Sequence, residues 1–412
     1  MKNTKHYPWI VVGLLWLVAL LNYMDRQMLA TMRPSMEADI PELVSGENFG
    51  RLMAIFLWIY ALMSPISGII ADKLNRKWLI VGSLFVWSAV TYAMGYATTY
   101  NQVYWLRALM GVSEALYIPA GLSLIADYHQ QKTRSLAIGI HMTGLYVGSA
   151  LGGFGATIAA TYSWHTTFHY FGIVGVLYAV VLVFLLKEKK ATEIKPIDLI
   201  TTNEKSSLFK GLALLFTNIS FWVILFYFAI ISLPGWATKN WLPTLFSENL
   251  AIPMEQAGPL ATIAISFSSL LGVIFGGILS DKWVQKNIKG RVYTSAIGLS
   301  LTIPALLLIG FGDSLFNVVA AVLCFGIGYG MFDANNMPII CQFVSSKYRG
   351  TAYGVLNMTG VGCGALVTSL LGKSSDSGTL GYGFALMAGV VVIALVVQVS
   401  FLRPKVNDFV DA

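Results

Sequence analysis

Apolar residues run in long blocks along this chain. Twelve of the blocks are long enough to cross a bilayer as helices of about 20 residues. They lie near 9–32, 48–71, 78–98, 102–127, 134–160, 165–186, 210–246, 257–280, 291–311, 315–343, 350–371 and 380–402. The seventh and tenth exceed what a bilayer needs, so part of each is expected to tilt or project. The pattern predicts an all-α membrane protein with no separate soluble domain. One polar, lysine-rich linker at 187–209 divides the chain into a first bundle at 1–186 and a second at 210–412.

Composition agrees with that reading: of 412 residues, 56% are hydrophobic and only 11% charged, far from a soluble globular domain. The distribution of positive residues decides what the net charge of +7 means. Of the 27 Lys and Arg, 21 fall in the segments on one side of the predicted bundle. Arg33, Arg51 and Lys373 fall on the other side, while Arg26, Arg107 and Lys239 lie inside apolar runs. The positive-inside rule then places both termini and the linker in the cytoplasm of a cell with this chain in its plasma, or inner, membrane. The basic balance is a topology signal, and no nucleic acid is expected as a partner. The N-terminus enters the first run without a small-residue cleavage site, so no cleavable signal is expected.

The five His and three Cys show no metal-ligand spacing. Cys324, Cys341 and Cys363 lie in apolar runs and read as small packing residues. No metal, no cofactor and no enzyme chemistry is expected, because no nucleophile–base pair is recognisable.

The charges inside the runs carry the candidate chemistry. Leu21-Asn22-Tyr23-Met24-Asp25-Arg26-Gln27 puts two full charges late in the first run. A charge at the centre of a spanning helix costs about 2.5–3.5 kcal/mol on insertion scales, so such residues face a bundle interior or a wet cavity and have partners. Asn22 and Arg26 are four apart and share a helix face, with Asp25 on the adjacent one. Two readings stand: an ion pair that only holds helices together, or a buried arginine that receives an anion beside a carboxylate that titrates. Arg107, Gly111 and Glu114 form one helix stripe. Gly111 lets another backbone approach. Burial and a neighbouring arginine act on a carboxyl in opposite senses, so a buried glutamate can load or release a proton as access changes. The alternative for Glu114 is a permanent salt bridge.

Other polar groups are placed to line a cavity: Tyr60, His141, Tyr146 and Asn357. Lys239, in Gly235-Trp236-Ala237-Thr238-Lys239-Asn240-Trp241, either snorkels to the interface or offers a second cation. Trp236 and Trp241 either stack on a ring of a bound ligand or belong to the aromatic belt. Asp333, Asn335 and Asn336, followed by Pro338, form a polar cluster at membrane depth that binds hydroxyls or pairs with Lys239.

The chain also repeats. Gly68-Ile-Ile-Ala-Asp72-Lys73 recurs as Gly277-Ile-Leu-Ser-Asp281-Lys282, 209 positions later. Arg134-Ser-Leu-Ala-Ile-Gly139 recurs as Arg349-Gly-Thr-Ala-Tyr-Gly354, 215 positions later. Two six-helix halves in parallel, joined by a linker, are a known transporter architecture.

On these motifs the chain resembles the major facilitator superfamily. Gly68-Ile-Ile-Ala-Asp72-Lys73-Leu74-Asn75-Arg76-Lys77 is similar to the superfamily signature between helices two and three, with Asn75 where glycine is usual. Asn also visits the left-handed region, which makes the replacement tolerable. The resemblance implies a conformational latch built from Gly68, Asp72 and Arg76, with Asp281 as the second-half counterpart. Asn22-Tyr23-x-Asp25-Arg26 and Arg107-Ala-Leu-Met-Gly111-Val-Ser-Glu114-Ala115 resemble the anion:cation symporters, which include sugar-acid/proton symporters and sialin-like carriers. That resemblance implies that Arg26 receives the substrate carboxylate beside Asn22 and Tyr23, a task that suits a planar guanidinium fork. It implies that Asp25 and Glu114 carry protons, with Arg107 tuning Glu114. Asn357, in Gly354-Val-Leu-Asn357, falls at a family position that contacts substrate.

Two departures narrow the expectation. Gly144-Leu145-Tyr146-Val147-Gly148 has leucine where sugar-acid members carry glutamine, which weighs against a simple aldonate. Gly148-Ser149-Ala150-Leu151-Gly152-Gly153 lacks the proline of the antiporter element, which weighs against a drug exporter. The expected protein is a monomeric, proton-coupled importer of a small organic anion: a hexuronate, aldonate or sialic-acid-like sugar acid. Its partners are that anion, protons and the lipid bilayer. The alternatives are a spinster-like lysolipid carrier, which has a similar first helix, and a membrane sensor that binds a sugar acid without transporting it.

Overall fold

The apolar runs fold as helices, and among the described residues there is no strand. The computed structural model describes residues 6–129, 131–188, 215–217, 219–344 and 349–404, without the side chains of residues 69, 72, 73, 131, 132, 135, 349 and 350. The first half contains α1 (Tyr7–Glu37), α2 (Gly46–Lys73), α3 (Arg76–Met94), α4 (Tyr100–Ala115), α5 (Tyr117–Tyr128), α6 (Gln131–Gly152), α7 (Gly155–Tyr162) and α8 (Trp164–Leu185). The second contains α9 (Ile219–Leu250), α10 (Met254–Val284), α11 (Gly290–Phe311), α12 (Leu315–Asp333), α13 (Asn336–Phe343), α14 (Arg349–Asp376) and α15 (Leu380–Phe401). Among the described residues, eleven spans are long and apolar enough to cross a membrane, and α6 with α7, bent by 41°, makes a twelfth. Most of the linker at 187–209 and the start of the seventh run lie outside the described residues.

Two of the spans are broken at matching places, and proline is the cause. Pro119 has no N–H to give to Ala115, and its ring crowds that carbonyl, so the fourth span breaks at Leu116 between α4 and α5. Pro338 does the same to Ala334, and the tenth span breaks between α12 and α13. Each break leaves a carboxylate in the last turn of the preceding helix, Glu114 in α4 and Asp333 in α12.

Within the first half, α1 packs along α6, α3 along α8 and α2 along α4. In the second, α10 and α11 both pack on α12, and α11 packs on α15. Close approach is made possible by glycine at equivalent places. A Cβ on Gly111 would sit 2.8 Å from the Phe56 carbonyl of α2, and one on Gly330 would sit 2.3 Å from the Ser269 carbonyl of α10.

The halves meet along two seams, α2 against α14 and α6 against α10. Both are tight at the end of the bundle away from Tyr7 and Phe401. There Asp376 of α14 caps the N-terminus of α2, accepting from the Gly46 N–H at 2.5 Å, the Glu47 N–H at 2.9 Å and the Ser45 hydroxyl at 3.0 Å. A carboxylate at a helix N-terminus satisfies free N–H groups and meets the positive end of the helix dipole. Lys373 reaches Glu47 at 3.5 Å beside it. The Thr262 hydroxyl donates to the Ala150 carbonyl at 3.0 Å in the other seam. One layer deeper, Gln27 donates to the Lys239 carbonyl at 2.8 Å, and the Trp241 indole donates to the Thr368 carbonyl at 3.0 Å.

The other end, rich in Lys and Arg, is different. A Cβ added at Gly68 of α2, Gly139 of α6, Gly277 of α10 or Gly354 of α14 would meet nothing within 4 Å. These are the glycines of the repeated motifs, one on each seam helix, and all four look into open space. The seams therefore part toward the basic end.

Two of the expected latch residues have described ion-pair contacts. Arg76 pairs with Asp127 at the end of α5, and Asp281 lies 3.8 Å from Arg291 of α11. Each of these two contacts stays inside one half. The Asp72 side chain lies outside the described residues. Asn75 does not use the left-handed region: its φ is −62° and its side chain accepts the Trp78 N–H at 3.1 Å, so it serves as the N-cap of α3.

The asymmetry of the seams predicts unequal mutational costs. Gly372→Leu would drive a Cβ to within 2.3 Å of the Gly46 carbonyl and should cost about 1–3 kcal/mol. Gly354→Leu enters open space and should stay within about 0.5 kcal/mol. Thermal unfolding of both variants in detergent compares them, and equal losses would show that the ends are packed alike.

Candidate substrate-binding cavity

A cavity of about 440 Å³ lies between the halves, below the closed layer. The second half supplies most of its wall, including Trp236, Lys239, Tyr329, Asp333, Asn336, Tyr353 and Asn357; the first half contributes Tyr23 and Tyr146 among others. Lys239 projects from α9 between two helix-interior prolines, Pro234 and Pro243. Its ammonium lies 4.8 Å from the centre of the Trp236 ring and 5.9 Å from that of Tyr23, a cation–π setting. Asp333 faces it across the cavity without a direct ion-pair contact. The Asp333 carboxylate accepts from the Asn336 amide at 3.0 Å and, across the halves, from the Tyr146 hydroxyl at 3.5 Å. Asn357 donates to the Ser64 hydroxyl at 2.6 Å, a second polar bridge between halves.

Behind Tyr23 lies a charge cluster that belongs to the first half. Arg26 Nε donates to Glu114 Oε2 at 2.6 Å, with side-chain exposures of 11% and 0%. Asn22 donates to the same oxygen at 3.0 Å. Aromatic rings enclose the Arg26 guanidinium, with Tyr60 at 4.6 Å, Tyr23 at 4.9 Å and Phe56 at 5.0 Å. Its Nη2 and Glu114 Oε1 are buried without a hydrogen-bond partner. Asp25 is buried too, with Thr91 donating to one oxygen at 3.5 Å and the other oxygen unpartnered.

Several sequence expectations change here. Arg107 does not pair with Glu114: it lies 4.6 Å from the Phe56 ring and donates to the Met110 sulfur at 3.1 Å. Seven residues along a helix is about 10.5 Å of rise, too far for a direct contact. Arg26, brought in on α1, takes Glu114 instead. Arg26, Asn22 and Tyr60 stand behind the cavity wall and not in it. His141 is buried with Nε2 at 2.8 Å from the Tyr117 hydroxyl, which itself donates to the Leu15 carbonyl, so it ties α6 to α5 and α1. Trp241 is buried in the closed layer against Phe49, and it is Trp236 that reaches the cavity. Tyr23, Tyr146, Lys239, Asn336 and Asn357 do line it.

Asp333, left open in the sequence between binding hydroxyls and pairing with Lys239, stands in the cavity wall, together with Tyr329 and Tyr353, which no sequence pattern singled out. A signal for Asp333 exists in the sequence. Gly111, Glu114, Ala115 and Pro119 recur as Gly330, Asp333, Ala334 and Pro338, each 219 positions later.

The match to known proteins is consistent with this geometry. A family model described as Major Facilitator Superfamily matches residues 15–368. The chain belongs to the Major Facilitator Superfamily. That superfamily and the relatives below are transporters, not enzymes. The hexuronate transporter of Bacillus subtilis (strain 168) is 24% identical over 414 residues, covering 96% of this chain and 95% of the relative. Protein spinster homolog 1 of Xenopus laevis is 28% identical over 352 residues, and the match spans 79% of this chain but only 64% of that protein. Among solved structures, a bacterial homologue of the human lysosomal transporter Spinster, in an inward-facing and unoccupied conformation, superimposes with a TM-score of 0.84. It shares 19% identity and covers 98% of this chain and 100% of that one, which establishes the common fold.

The Arg26–Glu114 contact predicts a stability pattern. Arg26→Met strands a buried carboxylate and should cost about 3–5 kcal/mol, whereas Arg26→Met with Glu114→Leu should recover most of that loss. Thermal unfolding of the two variants decides it; a double variant as weak as the single would mean that the charges act independently.

Proposed function

We propose that this chain is a secondary transporter that imports a small organic anion of the sugar-acid class together with protons, by alternating access. The observation that carries the reading is Lys239: a cation in the cavity wall, beside an indole ring and within a few residues' reach of amide and hydroxyl groups. A carboxylate pairs with the ammonium, a sugar ring lies on Trp236, and Asn336, Asn357 and the tyrosines meet hydroxyls. The volume of about 440 Å³ falls in the range of small-molecule sites. The hexuronate transporter among the relatives points to the same class of cargo. A lysolipid would need an apolar channel for its chain running on from the site, whereas Lys239, Asp333, Asn336 and Asn357 put charged and amide groups in this wall.

In this reading the halves 1–186 and 210–412 rock about the cavity on the linker at 187–209. The basic end faces the cytoplasm by the positive-inside rule, with both termini there and the chain acting as a monomer in the inner membrane. The seams are then closed outward and open inward. Arg26 is the reserve cation. While Glu114 is ionised it holds Arg26; once protonated, it releases the guanidinium toward Tyr23 and the cargo. Asp25 is the second first-half carboxylate available to a proton, with Arg107 keeping the local charge balanced.

Two experiments test this. Lys239→Gln should weaken D-galacturonate binding by about 10- to 100-fold, the worth of one charged hydrogen bond, and leave a neutral sugar alcohol nearly unaffected in calorimetry. Equal losses for both ligands would remove Lys239 from anion recognition. Glu114→Gln mimics a permanently protonated carboxyl. In proteoliposomes it should retain galacturonate counterflow and lose accumulation driven by a pH gradient; unchanged accumulation would take Glu114 out of coupling.

A further inference from the structure

The second half carries a charge arrangement that mirrors the first. Glu114 precedes Pro119 by five residues, and Asp333 precedes Pro338 by five. Both prolines break their spans, so both carboxylates sit in the last turn of a helix, where the negative end of the helix dipole disfavours an anion. Each therefore needs a cation or a proton. Glu114 has Arg26 of α1. Asp333 faces Lys239 across the cavity without a direct contact, and Lys239 lies 213 positions after Arg26 on the helix that opens the second half. The two cations lie on one tyrosine: Arg26 is 4.9 Å and Lys239 5.9 Å from the centre of the Tyr23 ring. The order through the protein is carboxylate, cation, ring, cation, carboxylate.

We infer that Asp333 and Lys239 form a second protonation site coupled to cargo, the second-half counterpart of Glu114 and Arg26. The inference rests on the sugar-acid reading for the identity of the anion, not for the couple itself. Groups facing Asp333 are Lys239 of α9, Tyr23 of α1, Tyr146 of α6, Tyr329 of its own α12, Tyr353 of α14 and the Asn336 amide of α13. α10 packs against α12 and contributes Ser266 and Ser269 to the same wall. Lys239 is the cation of this set. When a cargo carboxylate draws the Lys239 ammonium to itself, Asp333 keeps the helix end and gains a second anion nearby. One proton then moves from water at the open end onto an Asp333 carboxylate oxygen. When cargo leaves on the other side, Lys239 turns back to Asp333 and that proton returns to water. With Glu114 loading a proton for Arg26, two protons accompany one monoanion, and each turnover carries one net positive charge inward.

Infrared spectroscopy of the purified full-length chain at neutral pH reads the couple without cargo. Lys239→Gln removes the cation as cargo does. It should produce a protonated-carboxyl stretch that is absent in wild type and in Lys239→Arg, and that vanishes in Lys239→Gln with Asp333→Asn. Lys239→Met serves if the Gln variant does not purify. A Lys239→Gln spectrum like that of wild type would overturn the inference. Adding D-galacturonate to wild type should raise the same band. If it does not, while the Lys239→Gln band is present, the couple stands and the cargo reading fails.

Discussion

The contact between Arg26 and Glu114 is the constraint around which the rest is arranged. Neither charge can be left alone at that depth. Glu114 is held at the end of a proline-broken helix, and Arg26 arrives on α1, so the 2.6 Å contact clamps α1 to the fourth span. Asn22 adds a hydrogen bond to the same oxygen, and Tyr23, Phe56 and Tyr60 wall off the guanidinium. The pairing satisfies both charges inside the first half. It thereby leaves Lys239 as the cation in the cavity wall. A contact that looks structural thus decides which cation is left facing the cavity.

The two ends of the bundle obey different rules for the same reason: one is packed and the other is not. At the closed end, glycine carbonyls and Cα atoms of α2 and α14 are in contact, and Asp376 supplies the N-terminal cap of a helix in the other half. A helix of one half therefore needs a residue of the other to satisfy its first N–H groups. Opening that end breaks those bonds, so it requires compensation from contacts formed elsewhere. The motif glycines at the basic end have no packing role in this conformation. Their small size is understandable if the basic ends approach each other in the alternative state, where four close helix contacts would need it.

The repeat supplies the economy of the design. One set of rules, with glycine for approach, a carboxylate in a terminal turn and a proline to end the helix, is used in the fourth and tenth spans. The halves then diverge in how the carboxylate is treated. In the first it is sealed behind aromatic rings and bonded to arginine. In the second it stands in the cavity wall, bridged to the first half through Tyr146 and only distantly facing lysine. The same spacing thus yields a sealed, bonded carboxylate in one half and a carboxylate open to the cavity in the other.

Much of this was legible in the sequence. Spans of about 20 apolar residues have to become helices in a membrane, because nothing else there satisfies the backbone. The same constraint marks Arg26, Glu114, Lys239 and Asp333 as residues that must find partners. The proline and glycine spacings that break and pack the spans are likewise local. Which partner each charge finds is not local. Arg107 shares a stripe with Glu114, yet two turns of helix separate them, and the crossing of α1 decides the pairing. Trp241 and Trp236 are equally aromatic on one helix, and only the approach of α2 and α14 buries the first and leaves the second to the cavity. His141 is likewise claimed by a tyrosine from another helix. Helix periodicity sets what a residue can offer; the angles at which helices cross set what it meets, and those angles come from packing summed over the whole bundle.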